Sequence, residues 1–310
     1  MTAVAEQRLS EISESAPESQ NDEEYFSYEW FSSLAAYREA NRAQLQAFLS
    51  GLKVPSPWMG VDVACGVGLM SELTHEIGSK IGGFIQRIAC VDLDFDALKL
   101  ARHNLANVPA DFLHALGDKL PLRDGFGSFV TIGNSIHNFG EAQKSSLFGE
   151  AYRVLRGGAS LFFNSAFYDG TMVPGTEKFY SEKVRRALRA IGREQRPARH
   201  EDERPEAAKQ IGPDEYVRLA ERAGFVQVEK HEVQVRMDQE LWEAICSYGA
   251  YAQGMFHFRY SAETSVKNLV RAVKDIFADP DWETKYPGFT DAAGRFIPRN
   301  WLWVTATKPA

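Results

Sequence analysis

The sequence predicts an α/β fold built on one mostly parallel sheet. Two observations carry this. The first is the run Val61-Asp62-Val63-Ala64-Cys65-Gly66-Val67-Gly68-Leu69-Met70-Ser71. There a β-branched stretch breaks into a small-residue turn and then starts a helix. Glycines at 66 and 68 let a backbone approach a ligand where a side chain would clash. The amides of the helix start would face that ligand, at the carboxyl end of a strand, where open α/β sheets bind. The second observation is the alternation of strand-like and helix-like segments over 59–167, which implies βαβ units.

The elements follow in order. Residues 1–22 are rich in Glu, Ser and Gln and hold no apolar segment, so they read as a disordered acidic tail and not a signal peptide. Residues 23–55 read as an N-terminal helical lid. It opens on an aromatic cluster, Tyr25 to Phe31, and continues as a helix from about Trp30 to Ser50, closed by Gly51 and Pro55/Pro57. Residues 56–310 form the core. Ile88 to Asp94 reads as a second buried strand ending in an acid, and such an acid can take two ribose hydroxyls. Asp94 caps a helix from Phe95 to about Leu105, with apolar spacing at Leu98, Leu100, Ala101 and Leu105. Ile132 to Asn138 reads as a fourth strand and its exit loop. The helix Glu141 to Leu155 ends in Arg156-Gly157-Gly158, and Ala159 to Phe167 is a fifth strand.

Beyond Phe167 the pattern departs from simple alternation. Helical insertions are expected at about 171–207 and 239–285, as a cover over the ligand edge. The first holds a helix from Ser181 to about Arg193 and a charged loop, Glu194 to Ala207. The second holds helices Gln239 to Met255 and Ala262 to Phe277. Between them lie a helix, Asp214 to Ala223, and strand six, Val226 to Val235; Trp301 to Ala306 is the last strand.

The glycine loop has two readings. A dinucleotide loop wants G-x-G-x-x-G, and the third position here is Ser71. The alternative loop pattern is D-x-G-C-G-x-G. This chain has Asp62-Val63-Ala64-Cys65-Gly66-Val67-Gly68, with Ala64 for the first glycine, which implies no strongly positive φ at 64. Asp118-Lys119-Leu120-Pro121-Leu122 and Asp124-Gly125-Phe126-Gly127-Ser128-Phe129-Val130 complete an ordered set. Residues 60–167 resemble the class I S-adenosylmethionine-dependent methyltransferases, most like the small-molecule group that includes the ubiquinone and menaquinone enzymes.

The resemblance implies a Rossmann-like, seven-stranded, mostly parallel sheet with an antiparallel last strand, and S-adenosyl-L-methionine as cofactor. It implies that Gly66 and Gly68, with Ala64 and Cys65, approach the methionine and ribose. Asp92 would accept from the ribose hydroxyls and Leu93 would pack on adenine. Asp118 would accept from the adenine amino group, and the Lys119 amide would donate to a ring nitrogen. Asn134 and its loop would lie beneath the sulfonium. Asp62 would order the glycine loop through its amides.

For chemistry, His137 is the one histidine in the exit loop and a candidate general base. Cys65 reads as a packing residue. Tyr25, Tyr28, Trp242, Tyr251 and His257 are candidates to face the acceptor, because apolar and aromatic walls suit a hydrophobic substrate. A basic cluster, Lys183, Arg185, Arg186, Arg189, Arg193, Arg196, Arg199 and His200, would suit an anionic substrate; a solvated face paired with Glu182, Glu194 and Glu201 is the commoner meaning.

Composition bounds these readings. The net charge of −7 argues against nucleic-acid binding. No apolar run approaches roughly 18 residues, so no membrane span is expected. Three cysteines are too few for a disulfide framework and suit the cytoplasm. No cluster has metal-ligand spacing, so no metal is expected. The reading is methyl transfer to a hydrophobic or aromatic small molecule at O, C or N. A phosphorylated prenyl or lipid acceptor, and a non-methylating cofactor-binding relative, stay open. So does a homodimer.

Overall fold

The computed structural model describes residues 28–192 and 210–310. Helices α1 (Tyr28–Ser33) and α2 (Ala35–Ser50) come first. The alternating half follows as β1 (Trp58–Val63), α3 (Leu69–Lys80), β2 (Ile85–Asp92), α4 (Phe95–Asn104), β3 (Ala110–His114), β4 (Gly127–Ile132), α5 (Glu141–Val154) and β5 (Leu155–Ser165). After α6 (Glu177–Ile191) come α7 (Pro213–Arg222) and β6 (Val226–Val235). Helices α8 (Gln239–Ser247), α9 (Gly249–Gly254), α10 (Ala262–Phe277) and α11 (Trp282–Lys285) follow, then the short strands β7 (Thr290–Asp291) and β8 (Gly294–Arg295), and last β9 (Arg299–Thr307).

Seven strands form one sheet in the order β3-β2-β1-β4-β5-β9-β6. The first five pair in parallel, and β9 runs antiparallel to both β5 and β6. This is the Rossmann-like arrangement expected from the sequence. Strand order reverses at β1, whose neighbours are β2 and β4, and ligands bind in the crevice outside such a switch point. The ends of β1, β2, β4 and β5 and the start of β9 share that edge. The central strand β4 is buried along its whole length, because helices cover both faces. Strand β6 closes the other end of the sheet, is mostly exposed, and carries Glu229, Lys230 and Glu232, which blunt a free edge.

Several expectations need correction. The helix expected over 30–50 breaks at Leu34, and α2 is not a lid over the ligand edge. It lies on the sheet, with the Phe48 ring 6.3 Å from Phe129 and 5.2 Å from Phe162. Arg156-Gly157-Gly158 does not end a helix, because α5 runs directly into β5. Lys308 makes a glycine cap unnecessary there: its Nζ donates to the Tyr152 and Leu155 carbonyls at 2.8 and 2.7 Å. The helix expected over 239–255 divides at Tyr248, and the β7–β8 hairpin has no sequence signal strong enough to announce it. The insertion helices pack on one another, α6 and α8 against α10, and α9 against both α8 and α10. The tail 1–22, the lid residues 23–27 and the loop 194–207 lie outside the described residues. Among the described residues, no helix is long and apolar enough to cross a membrane.

Candidate cofactor and acceptor site

The loop after β1 is built on left-handed backbone. Ala64, Gly66 and Gly68 have φ of +52°, +52° and +93°. The positive φ at Ala64 corrects the sequence reading. The Cys65 amide continues the ladder to the Val91 carbonyl at 3.1 Å, and this holds the turn even with a Cβ present. A Cβ on Gly66 would meet no atom within 4 Å, so this backbone faces open space. A Cβ on Gly68 would meet Leu105 at 2.7 Å, so that glycine serves packing. Asn104, which the sequence reading missed, braces the loop by donating to the Val67 carbonyl at 3.0 Å.

Asp62 lies beneath the loop with no exposure. Its carboxylate accepts from the hydroxyls of Ser71 at 2.7 Å and Thr131 at 3.1 Å. It therefore ties the start of α3 to β4 and does not order the loop through the loop's own amides. Burial pushes its carboxyl up to about 6. Cys65 is buried, and the neighbouring Cys90 thiol together with burial pushes its thiol well above the usual range. Such a thiol is held in its protonated form and packs among the buried residues.

Asp92 ends β2 and organises two backbones. Oδ2 accepts from the Gly66 amide at 2.7 Å, and Oδ1 accepts from the Asp94 amide at 2.9 Å. Each oxygen keeps acceptor capacity. Burial raises its pKa. Leu93 beside it is 47% exposed, an unusual position for a leucine. Asp94 caps α4 as expected, accepting from the Asp96 and Ala97 amides at 2.8 and 3.0 Å. In the loop after β3, Oδ1 of Asp118 is buried and has no hydrogen-bond partner. This loop is braced by Glu150, which accepts from the Leu120 amide, and by Arg153, which donates to the Leu120 and Leu122 carbonyls. The Lys119 amide donates to the Leu116 carbonyl at 3.1 Å, so it is not available to a ring nitrogen.

At the exit of β4, Asn134 has φ +46° and uses its side chain internally. Its Oδ1 accepts from the Ala166 amide at 2.7 Å. The Asn134 amide in turn donates to Asn164 Oδ1 at 2.8 Å, and Asn164 Nδ2 donates to Asn41 and Gln44 at 2.8 and 2.7 Å. Asn164 is fully buried and was missed in the sequence because a lone Asn in a strand carries no signal. His137 is buried, with Nδ1 3.4 Å from the Ser165 hydroxyl and its ring 4.5 Å from Phe167. Burial first, then Lys144 and Arg299, lower its pKa to about 3. A histidine held so far below neutrality is a weak proton acceptor in this arrangement.

The aromatic candidates separate. Tyr25 lies outside the described residues, as does the side chain of Tyr28. Trp242 is wholly buried; its ring stands 4.7 Å from Phe179 and its Nε1 donates to the Ile297 carbonyl at 2.9 Å. It belongs to the cover's core and lines no open space. Tyr251 packs 5.8 Å from Phe167, beside the exit loop. His257 is exposed, with φ +53°, at the rim of a cavity of about 870 Å³ between α6 and the end of α9. Tyr248 donates from its hydroxyl to Asn138 at 2.7 Å. In the basic cluster, Arg185 and Arg186 pair with Glu182, and Arg186 also with Asp279 at 2.6 Å. Lys183 points inward and is fully buried. Arg193, Arg196, Arg199 and His200 lie outside the described residues. Among the described residues, no group of His, Cys, Asp or Glu could hold a metal.

Known proteins share this architecture. A protein of Anabaena variabilis, described as a candidate methyltransferase from an antibiotic biosynthesis pathway, aligns with a TM-score of 0.57 at 14% identity, covering 87% of this chain and 99% of its own. A candidate methyltransferase of Bacillus halodurans aligns with a TM-score of 0.51 at 17% identity, covering 87% of this chain and all of its own. These likenesses are of fold. No curated protein matches the sequence. Residues 61–163, from β1 into β5, match the family model described as a methyltransferase domain.

Proposed function

We propose that the protein transfers the methyl group of S-adenosyl-L-methionine to a hydrophobic or aromatic small-molecule acceptor. The observation that carries this reading is the buried, unpartnered Asp118 oxygen, at the same sheet edge as Asp92, within the span that matches a methyltransferase domain. The residues fit the cofactor. Gly66 leaves open space at the loop, and Asp92 keeps acceptor capacity for ribose hydroxyls. Exposed Leu93 offers an apolar face for adenine, and Asp118 offers an unmet acceptor for its amino group. When bound, the cofactor supplies a methyl group activated by a sulfonium.

The chain's own contribution is position and shielding. The Asn134–Asn164 network fixes the exit loop beside the reacting region. Phe167, Tyr248 and Tyr251 give that region an aromatic wall. His137 packs on Phe167 and Tyr248 at the exit loop. A quinone-like or specialised-metabolite acceptor suits these walls, and three buried free cysteines suit a reducing, cytoplasmic setting. Calorimetric titration tests the reading: S-adenosylhomocysteine is expected to bind and NAD is not. Tighter binding of NAD would overturn it.

A further inference from the structure

Two cations are buried in the cover without an acid. Lys183 and Arg299 are 0% and 1% exposed. Arg299 donates Nε and Nη2 to the Ala166 carbonyl at 3.0 and 2.8 Å, and Nη1 to the Tyr180 hydroxyl at 2.9 Å. Lys183 donates to the Tyr251 hydroxyl at 2.7 Å. Four rings stand 4.6–5.3 Å from the ammonium, those of Phe179, Tyr180, Trp242 and Tyr251. Three stand 5.4–5.8 Å from the guanidinium, those of Phe167, Trp242 and Tyr251. Among the described residues, no carboxylate lies within ion-pair distance of either cation. Neutral oxygens and π faces satisfy the donors, but they do not cancel the Arg299 charge, and burial pushes the Lys183 ammonium below its ordinary range. Buried charges are ordinarily paired, because an unpaired one keeps its full desolvation cost.

The pair stands at the ligand edge of the sheet. Arg299 opens β9 and holds Ala166, the residue after β5, so it stands at the ligand edge. Phe167 lies between it and the exit loop, packed on His137 at 4.5 Å. The α6–α9 cavity, lined by Tyr180, Val184, Leu188, Arg189, Met255 and His257, opens above. Tyr180 belongs to both: its ring lines the cavity and its hydroxyl accepts from Arg299. Tyr180 is thus the one residue shared by the cavity wall and the Arg299 hydrogen bonds, among the described residues.

We propose that Lys183 and Arg299 hold the carboxylate of an aromatic or apolar acid, the acceptor of the methyl transfer on which this inference rests. The planar guanidinium fork matches a planar carboxylate. One monoanion cancels the charge that Arg299 can never shed, and Lys183 adds a donor. The apolar body lies along the cavity wall of Tyr180, Val184, Leu188 and Met255. A phosphate dianion would carry a larger desolvation cost into the same apolar walls and would not use the planar fork.

The test uses the full chain. Benzoate, 4-hydroxybenzoate, phenylacetate and cinnamate are compared with their neutral amides and with phenyl phosphate. Binding is read by calorimetry and by the shift in melting temperature, in wild type, Lys183→Met and Arg299→Met. At least one acid is expected to bind and raise the melting temperature, with its amide at least tenfold weaker. Lys183→Met is expected to weaken that acid at least tenfold while leaving the free protein's melting temperature unchanged or higher, because an unpaired charge is removed. Arg299→Met also loses the bonds to Ala166 and Tyr180, so Lys183→Met decides if Arg299→Met does not fold. The inference is overturned if no acid binds, if the amides bind equally, or if phenyl phosphate is preferred. It is also overturned if Lys183→Met binds the acid as wild type does or melts lower. S-adenosylhomocysteine is titrated separately. Its failure to bind wild type overturns the methyl-transfer reading and leaves the acid-binding result standing.

Discussion

Replacing Asp62 by asparagine is expected to change how stability depends on pH, and burial sets the size. The carboxyl has no exposure, and its pKa is raised from 3.8 to about 6, with desolvation the largest cause and the Ser71 and Thr131 hydroxyls opposing it. A group whose folded pKa is raised holds its proton more tightly in the native state. Its contribution is fully present below the unfolded value and is lost as pH rises through the folded value. A separation of about two pKa units amounts to roughly 3 kcal/mol. Of this, about 2 kcal/mol falls between about pH 4.5 and about pH 7.5 by the same linkage. Asparagine keeps the shape but does not titrate. It also offers one acceptor to two hydroxyls, a pH-independent loss of about 1 kcal/mol. Urea unfolding of both proteins at the two pH values separates these effects. The stability difference should move toward the variant by about 2 kcal/mol at the higher pH. Parallel pH profiles, or a shift toward wild type, would refute the assignment of a strained buried carboxylate beneath the loop.

Four further outcomes follow from the geometry. Asp92→Ala strips the Gly66 and Asp94 amides of their acceptor and should weaken S-adenosylhomocysteine by about 1.5–3 kcal/mol in calorimetry. Asp94→Ala should leave that affinity alone and cost about 1 kcal/mol of stability through its lost helix cap. Trp242→Ala should cost about 3–5 kcal/mol in denaturant unfolding, because a wholly buried ring is deleted. The His137 ring, with its pKa lowered to about 3, should show no NMR titration step near neutrality; its stability contribution is present above the unfolded value of 6.5 and is lost as pH falls toward 3.

The sequence by itself determined the sheet's first five strands and the glycine loop at their carboxyl edge. Those features are local: a β-branched run, a glycine turn, and an acid at each of two loop positions lie within a few residues of one another. Asp92, Asp94 and Gly66 were legible for that reason, and so was the antiparallel last strand once the resemblance was in place. Roles that depend on what a side chain meets across the fold were not legible. Lys183 reads as one more charge on a basic helix, yet the stripe Phe179, Lys183, Ala187 and Ile191 faces inward. Asn164 gives no signal until Asn41, Gln44 and Asn134 surround it from 30 to 123 residues away. His137 reads as a base in a loop, and only the rings and cations packed around it lower its proton affinity. Burial and charge balance are properties of the assembled interior, not of spacing along the chain. Tertiary packing therefore decided which aromatics are core, how deeply His137 is buried and that Lys183 and Arg299 face inward.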